Sequence, residues 1–314
     1  MPTLNEAFSS LSTRRRYEVW FLRFGLADGS GAWWLRYLLM NPGKQGCRGG
    51  PQVLPVQVWA TWFPVGGKPR SFIQGFPVDG LDLGSGRSQF HFRISENAIE
   101  ENACRGDLQA NGHTISWNLQ YRSTFRVTLS NKSWIGFSRT PHSDAEFSGS
   151  ITLDGCTFTG KPLGFGVQGH NCGYRHRNFW RWTHAYFPRA DQPATTLEAL
   201  AYEMPFGLVF RKAILWHEGQ VYVYRHLRET VDVQGGLDWK WTFSCRAVRG
   251  LAMTANIDGS GSSAYRIPYQ KTDCTGTFDV TNNSLAHACV VLDQKGKPPE
   301  KLETSTGAVL EKAG

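Results

Sequence analysis

The sequence predicts an all-β fold made of two tandem antiparallel β-barrels. Three observations carry that expectation. Nearly every apolar segment is short, rich in Val, Phe, Tyr and Trp, and bounded by Gly, Pro, Asn or Asp, the pattern of strands joined by turns. Helical periodicity is scarce, and the second half repeats the order of the first. At 314 residues the chain has room for two barrel-sized units. With 19% charged and 13% aromatic residues, including 12 Trp and 19 Phe, it needs an extensive interior or a large apolar cavity.

Strands are predicted in the first half at Tyr17–Phe24, Ala32–Met40, Val56–Pro64, Gln89–Ile94, Ala98–Gln109, Ile115–Tyr121, Thr124–Ser130 and Ser148–Leu153. The second half supplies Phe179–Phe187, Thr196–Met204, Gly207–His217, Gln220–Arg225, Trp239–Arg246, Gly250–Ile257 and Gly276–Val280. Regular spacing without interleaved helices argues for antiparallel barrels or sandwiches over a parallel sheet. The first two strands recur about 162 residues later, at Phe179–Phe187 and Thr196–Met204, and the next strand ends near a Trp in both copies. SWNLQY (Ser116–Tyr121) corresponds loosely to SAYRIPY (Ser263–Tyr269). The boundary is expected in the turn-rich stretch between Leu153 and Phe165, which divides the chain into residues 1–160 and 161–314. The polar stretch from Lys295 to Gly314 reads as a loosely held tail.

Several function classes are disfavoured. The N-terminus lacks an apolar core for a signal peptide and no stretch approaches a membrane span, which predicts a cytoplasmic protein without an integral membrane segment. Seven Cys without a CxxC pair suggest neither a disulfide framework nor a thiolate metal site. The formal charge of +8 is dispersed, which does not predict a nucleic-acid partner. The Gly-rich segments Asp82–Ser88 and Asp258–Tyr265 lack the Lys and helix of a phosphate loop and read as hairpin turns. No GxSxG elbow is present, and nothing marks Cys172 beside His170 as an activated nucleophile. A metal held by His170, His176 and His184 would lack both HExxH and facial-triad spacing, so no metal and no cofactor is predicted.

The segment that stands out runs from Tyr174 to Phe187. Read as one strand, it places Tyr174, His176, Asn178, Trp180, Trp182, His184 and Tyr186 on one face, with Arg175, Arg177, Phe179, Arg181, Thr183 and Ala185 on the other. Three Arg mark the second face as solvent-facing, so the first is expected to look inward. An ordinary core uses Val, Leu and Ile, because each buried polar group must find a partner. Aromatics with polar handles and two imidazoles suit a pocket better. Just upstream, GHNCG (Gly169–Gly173) sets His170 and Asn171 between glycines, as at a bulge or barrel rim.

The segment VQGHNCGYRHRNFWRWTHAYF resembles the QGHNWG…H…WxWxH pattern of the AttH-like, carotenoid hydratase (hydroxyneurosporene synthase) and tocopherol-cyclase-like superfamily. YEVWFLRF and AWWLRYLLMNP also resemble its opening strands, while Cys172 stands where the family pattern has Trp. The resemblance implies two lipocalin-like barrels in tandem and cofactor-free chemistry, cyclisation, hydration or isomerisation, on a hydrophobic isoprenoid- or polyketide-like molecule. Alkene protonation or cyclisation builds positive charge, which Trp180, Trp182 and Tyr186 could stabilise through their π faces. His176, His184 or His170 could donate the proton, or a carboxyl on the neighbouring strand, Glu203 or Glu198. A pericyclic step needs only shape and one hydrogen bond. Further candidate substrate contacts are Asn171, Tyr174, Trp34, Arg36 and Tyr37, with Tyr37 on the opposite strand face from Trp34 and Arg36. A non-catalytic carrier for a lipid-like ligand is the competing expectation, and the oligomeric state is not encoded in any of these features.

Overall fold

The computed structural model describes residues 4–8, 15–41, 43, 54–84, 90–132, 136–176, 178–190, 192–246, 250–273 and 275–314. Arg177, Gln89, residues 85–88 of the Gly-rich segment Asp82–Ser88 and two of the seven Cys, Cys47 and Cys274, lie outside the described residues.

The first half contributes β1 (Arg16–Leu26), β2 (Gly31–Asn41), β3 (Val56–Pro64), β4 (Arg70–Phe76), β5 (Asp82–Gly84), β6 (His91–Ile94), β7 (Asn97–Glu100), β8 (Ala103–Ala110), β9 (His113–Arg122), β10 (Val127–Lys132), β11 (Gly136–Leu153) and β12 (Cys156–Gly173). They form a 12-stranded antiparallel sheet in the order β4-β3-β2-β1-β12-β11-β9-β8-β7-β6-β5, with β10 paired to β11. The second half contributes β13 (Trp180–Phe187), β14 (Thr195–Glu203), β15 (Val209–His217), β16 (Gln220–Tyr224), β17 (Arg228–Gly235), β18 (Asp238–Arg246), β19 (Ala252–Asp258), β20 (Tyr265–Gln270), β21 (Thr277–Asp293) and β22 (Glu300–Ala313). These make a 10-stranded sheet, β16-β15-β14-β13-β22-β21-β19-β18-β17, with β20 on β21. The all-β tandem architecture predicted from the sequence is therefore present, and the two sheets repeat one topology.

Side-chain alternation shows how the sheets bury themselves. Along β9, Ile115, Trp117, Leu119 and Tyr121 are buried while their neighbours are mostly exposed, as expected of a strand with one wet face. β2 and β14 differ: almost every residue is buried. Their inner faces enter the two barrel cores, through Trp33, Leu35, Tyr37 and Leu39 in one and Leu197, Ala199 and Ala201 in the other. Their outer faces meet in a third apolar layer, where Trp34, Leu38 and Met40 pack with Leu200, Tyr202 and Ile214. Fully burying each such side chain stabilises by about 1.5–3 kcal/mol, so this layer locks the two sheets together. Arg23, fully buried, adds hydrogen bonds across the layer to the carbonyls of Ser284, Thr306 (2.8 Å) and Ala308 (2.8 Å). Gly25 is required at this crossing, because a Cβ there would lie 2.4 Å from the Thr306 carbonyl oxygen.

Four sequence expectations are corrected. The boundary at 160/161 falls inside β12, which pairs with β1 up to Gly173, and the second sheet begins with β13 at Trp180. Residues 300–313 are no tail. They form β22, paired on both sides by β13 and β21, and Ala308, Val309 and Leu310 are fully buried. The strand was masked by its frequent charged and polar residues, most of which occupy its outer positions. SWNLQY is on β9, between β8 and β11, and its positional counterpart is β19 rather than SAYRIPY on β20. Finally, the faces of β13 are exchanged. Ala185 and Phe187, and with them Thr183 and Arg181, point into the second barrel. Arg181 reaches Glu229 at 3.4 Å, and Arg211 reaches the same carboxylate at 2.6 Å, so an Arg placed on the solvent side is satisfied by an acid inside the barrel. Trp180 and Trp182 face the first sheet instead.

Candidate functional site

A cavity of about 140 Å³ opens in the layer between the sheets. That is space for roughly ten waters or the reactive part of a small organic molecule. The first sheet supplies Tyr17, Val19 and Phe21 from β1, Trp34 and Arg36 from β2, Phe137 and Ser138 from β11, and Asn171 and Cys172 from β12. The segment joining the sheets adds Arg175, which is exposed, and His176. The second sheet closes the cavity with Trp180 and Trp182 from β13, Leu200 and Tyr202 from β14, Tyr269 from β20 and Glu311 from β22. Strand alternation explains the set. On β1 the even positions Trp20, Leu22 and Phe24 fill the first barrel, which turns Tyr17, Val19 and Phe21 outward to the cavity.

Two indole–carboxylate pairs fix the second-sheet wall. Trp180 Nε1 donates to Glu311 Oε1 at 2.9 Å, and Glu311 Oε2 accepts from Tyr269 (3.1 Å) and Asn282 (3.2 Å). Trp182 Nε1 donates to Glu198 Oε1 at 3.0 Å, which also accepts from Thr140 at 2.8 Å. Glu198 is 1% exposed, and burial pushes its carboxyl up to about 7 against the lowering effect of these two hydrogen bonds.

Polar atoms without a hydrogen-bond partner among the described residues collect in the lining: Arg36 Nε and Nη1, Trp34 Nε1, His176 Nδ1 and Asn171 Oδ1. Arg36 is 5% exposed, and its guanidinium sits 5.1, 4.5 and 4.2 Å from the ring centroids of Trp34, Trp59 and Tyr269. His176 stacks on Tyr17 at 4.0 Å with an interplanar angle of 10°. Burial, and secondarily the charge of Arg36, lower its imidazole to about 3, so it is neutral at physiological pH.

No family model and no curated protein matches the sequence. Solved structures do match. The structure of CghA with Sch210972 aligns over 99% of this chain and 94% of its own, with a TM-score of 0.65 at 11% identity. Kievitone hydratase from Nectria haematococca aligns over 100% and 95%, with a TM-score of 0.55 at 11% identity. A candidate AttH from Nitrosomonas europaea aligns over 95% and 92%, with a TM-score of 0.51 at 10% identity. The chain has an AttH-like fold. The likeness spans both halves and their arrangement, and at these identities it is a likeness of fold.

Within this AttH-like frame, half of the sequence-predicted site residues meet in the cavity: Trp34, Arg36, Asn171, His176, Trp180 and Trp182. The others lie elsewhere. His170 sits inside the first barrel, stacked on Trp20 at 4.6 Å and hydrogen-bonded to Glu18 and the Leu4 carbonyl, each at 2.8 Å. His184 is buried between the sheets, where Nε2 donates to the Ser143 carbonyl at 2.7 Å; burial lowers it to about 3. Tyr37 points into the first barrel and donates to the Arg105 carbonyl at 2.7 Å. Tyr174 accepts from Arg16 at 2.9 Å, Tyr186 stacks on Phe165 at 5.1 Å, and Glu203 is not in the lining. His170, His176 and His184 do not converge on a metal. Among the described residues the cluster with ligand atoms close together is His217, Glu218 and Glu300, where Arg189 already lies 3.4 Å from both carboxylates. No described helix is long and apolar enough to cross a membrane.

Sequence reasoning missed Tyr17, Tyr202, Tyr269 and Glu311. Tyr17 was legible in principle, since its parity on β1 opposes that of Trp20. Glu311 was hidden by reading its strand as a tail.

Proposed function

We propose that the protein is a cofactor-independent enzyme that cyclises or isomerises a hydrophobic, isoprenoid- or polyketide-like metabolite in the cavity between the barrels. The observation that carries this reading is the lining itself: aromatic walls anchored by buried carboxylates, from residues several of whose buried hydrogen-bonding atoms have no partner among the described residues. Such a lining excludes water while holding an apolar molecule folded, which supplies proximity and orientation. Hydrogen bonding to Glu311 and Glu198 keeps Trp180 and Trp182 in place, with electron-rich carboxyl oxygens against their indole N–H groups. Positive charge developing on a closing polyene is thereby favoured at the ring faces. His176, neutral and with Nδ1 unpartnered, offers one hydrogen bond to a carbonyl or hydroxyl of the substrate.

Hydration needs in addition an acid within reach of the alkene. Glu198 carries a proton in about half of the molecules near pH 7, but it lies behind Trp182, outside the lining. Closure or isomerisation therefore fits the cavity better than hydration. The kindred folds agree with an enzyme: one is a hydratase by name and another was crystallised with a small molecule, Sch210972. The same placement of Glu198 favours, as a second reading, a carrier that binds without conversion.

The test is incubation with linear polyene isoprenoids and polyketides, followed by liquid chromatography and mass spectrometry. The proposal expects a product isomeric with its substrate, lost in Trp182→Ala and His176→Ala and retained in the surface variant Lys301→Ala. A ligand that co-purifies and is recovered chemically unaltered after prolonged incubation supports the carrier instead.

A further inference from the structure

Arg36 presents an arrangement that the ring walls alone do not explain. Its guanidinium carbon lies 5.1, 4.5 and 4.2 Å from the ring centroids of Trp34, Trp59 and Tyr269, and it hydrogen-bonds the Tyr269 side chain, while Nε and Nη1 have no partner among the described residues. No described carboxylate lies within ion-pair distance of it; Glu311 approaches only through Tyr269, whose hydroxyl donates to that carboxylate at 3.1 Å. A buried guanidinium ordinarily has a carboxylate, a phosphate or several carbonyls along its edge, because leaving a buried charge unpaired is costly. Arg23, the other buried Arg of this layer, also has Nε and Nη1 unpartnered, but its Nη2 meets three backbone carbonyls and it is not among the cavity-lining residues, whereas Arg36 is. Elsewhere in the lining the unsatisfied groups are the Trp34 indole N–H, a donor, His176 Nδ1, and Asn171 Oδ1, an acceptor.

Resting on the reading of this cavity as a substrate site, we infer that its ligand is an acid: a hydrophobic molecule whose carboxylate or enolate oxygen is received along the edge of Arg36, with Trp34 Nε1 and His176 beside it. Three ring contacts crowd the guanidinium and restrict its movement, so the oxygen is received over a narrow range of directions. This orients an otherwise featureless hydrocarbon against Trp180 and Trp182. A neutral ligand of the same shape leaves the charge unpaired and gives up that recognition.

The experiment compares 2-naphthoic acid, ionised at pH 7.5, with its neutral analogue 2-naphthamide by isothermal titration calorimetry on the full chain. Wild type is expected to bind the acid at least about tenfold more tightly than the amide, the ratio of one charge-assisted hydrogen bond. Arg36→Gln should bring the ratio to about one while retaining amide binding, and Arg36→Lys, which keeps the charge without the planar fork, should fall between. Equal affinities in wild type, a comparison independent of any variant's folding, overturn the inference and leave the apolar cavity standing. Persistence of the acid preference in a folded Arg36→Gln also overturns it. If neither probe binds, both the inference and the substrate-site reading fail.

Discussion

Replacing Glu198 by Gln should flatten the pH dependence of stability in a defined window. The carboxyl titrates at about 7 in the folded protein against an ordinary 4.5, because burial disfavours its charged form. The folded state therefore holds this proton more tightly than the unfolded chain. Its stabilising contribution is complete below about pH 4.5 and is lost as pH rises through about 7. At about 1.4 kcal/mol per pH unit, ionisation by pH 8 costs about 3 kcal/mol. Gln is close to an isostere of the protonated acid and its carbonyl can accept from Trp182 and Thr140 as Glu198 does. His176 and His184, both lowered to about 3, act in the opposite direction: stability is lost as pH falls below about 6.5. They are common to both proteins, so the difference between variant and wild type isolates Glu198. Thermal unfolding followed by circular dichroism from pH 5 to pH 8 should show the variant gaining on wild type by about 5 °C for a chain of this length. A difference that stays constant across this range refutes the reasoning.

Three further outcomes follow from the same structure. Arg23→Ala removes the donor to three buried carbonyls and leaves a cavity between the sheets, and should lower unfolding free energy by about 3 kcal/mol in urea titrations. Gly25→Ala brings a Cβ within 2.4 Å of the Thr306 carbonyl oxygen and should depress the melting temperature, whereas Gly112→Ala, on an open turn of positive φ, meets no atom and pays only its backbone strain. Deleting residues 300–314 removes β22 from between β13 and β21, and should abolish the cooperative thermal transition, where a true tail would leave it intact.

The fold was legible because its signal is local and repeated: turn residues at short intervals, β-branched and aromatic strands between them, and one plan used twice. β22 was not, because a strand that carries Lys and Glu at its outer positions looks like a solvated segment until its partners are known. The candidate site was half legible. Trp180, Trp182, His176, Trp34 and Arg36 are unusual residues for an ordinary core and stand out by type. That the Trp180 and Trp182 side of β13 lines a pocket was legible; that the Arg181 side is not solvent was not, since Arg181 sits inside a barrel beside Glu229, nearly fifty positions away in sequence. Likewise His170 and His184 read as site residues by type, but Glu18 and Leu4 occupy both ring nitrogens of His170 and Ser143 holds His184 Nε2 between the sheets, away from the cavity lining. The pairing of Trp180 with Glu311 joins strands at opposite ends of the second half, and no spacing rule reaches that far.

The central claim is that the cavity between the barrels transforms a hydrophobic metabolite. It is tested most directly by turnover of a linear polyene substrate, measured side by side for wild type, Trp182→Ala, His176→Ala and Lys301→Ala. The account predicts an isomeric product from wild type and Lys301→Ala and its loss from both cavity variants. Equal turnover by all four folded proteins would contradict it.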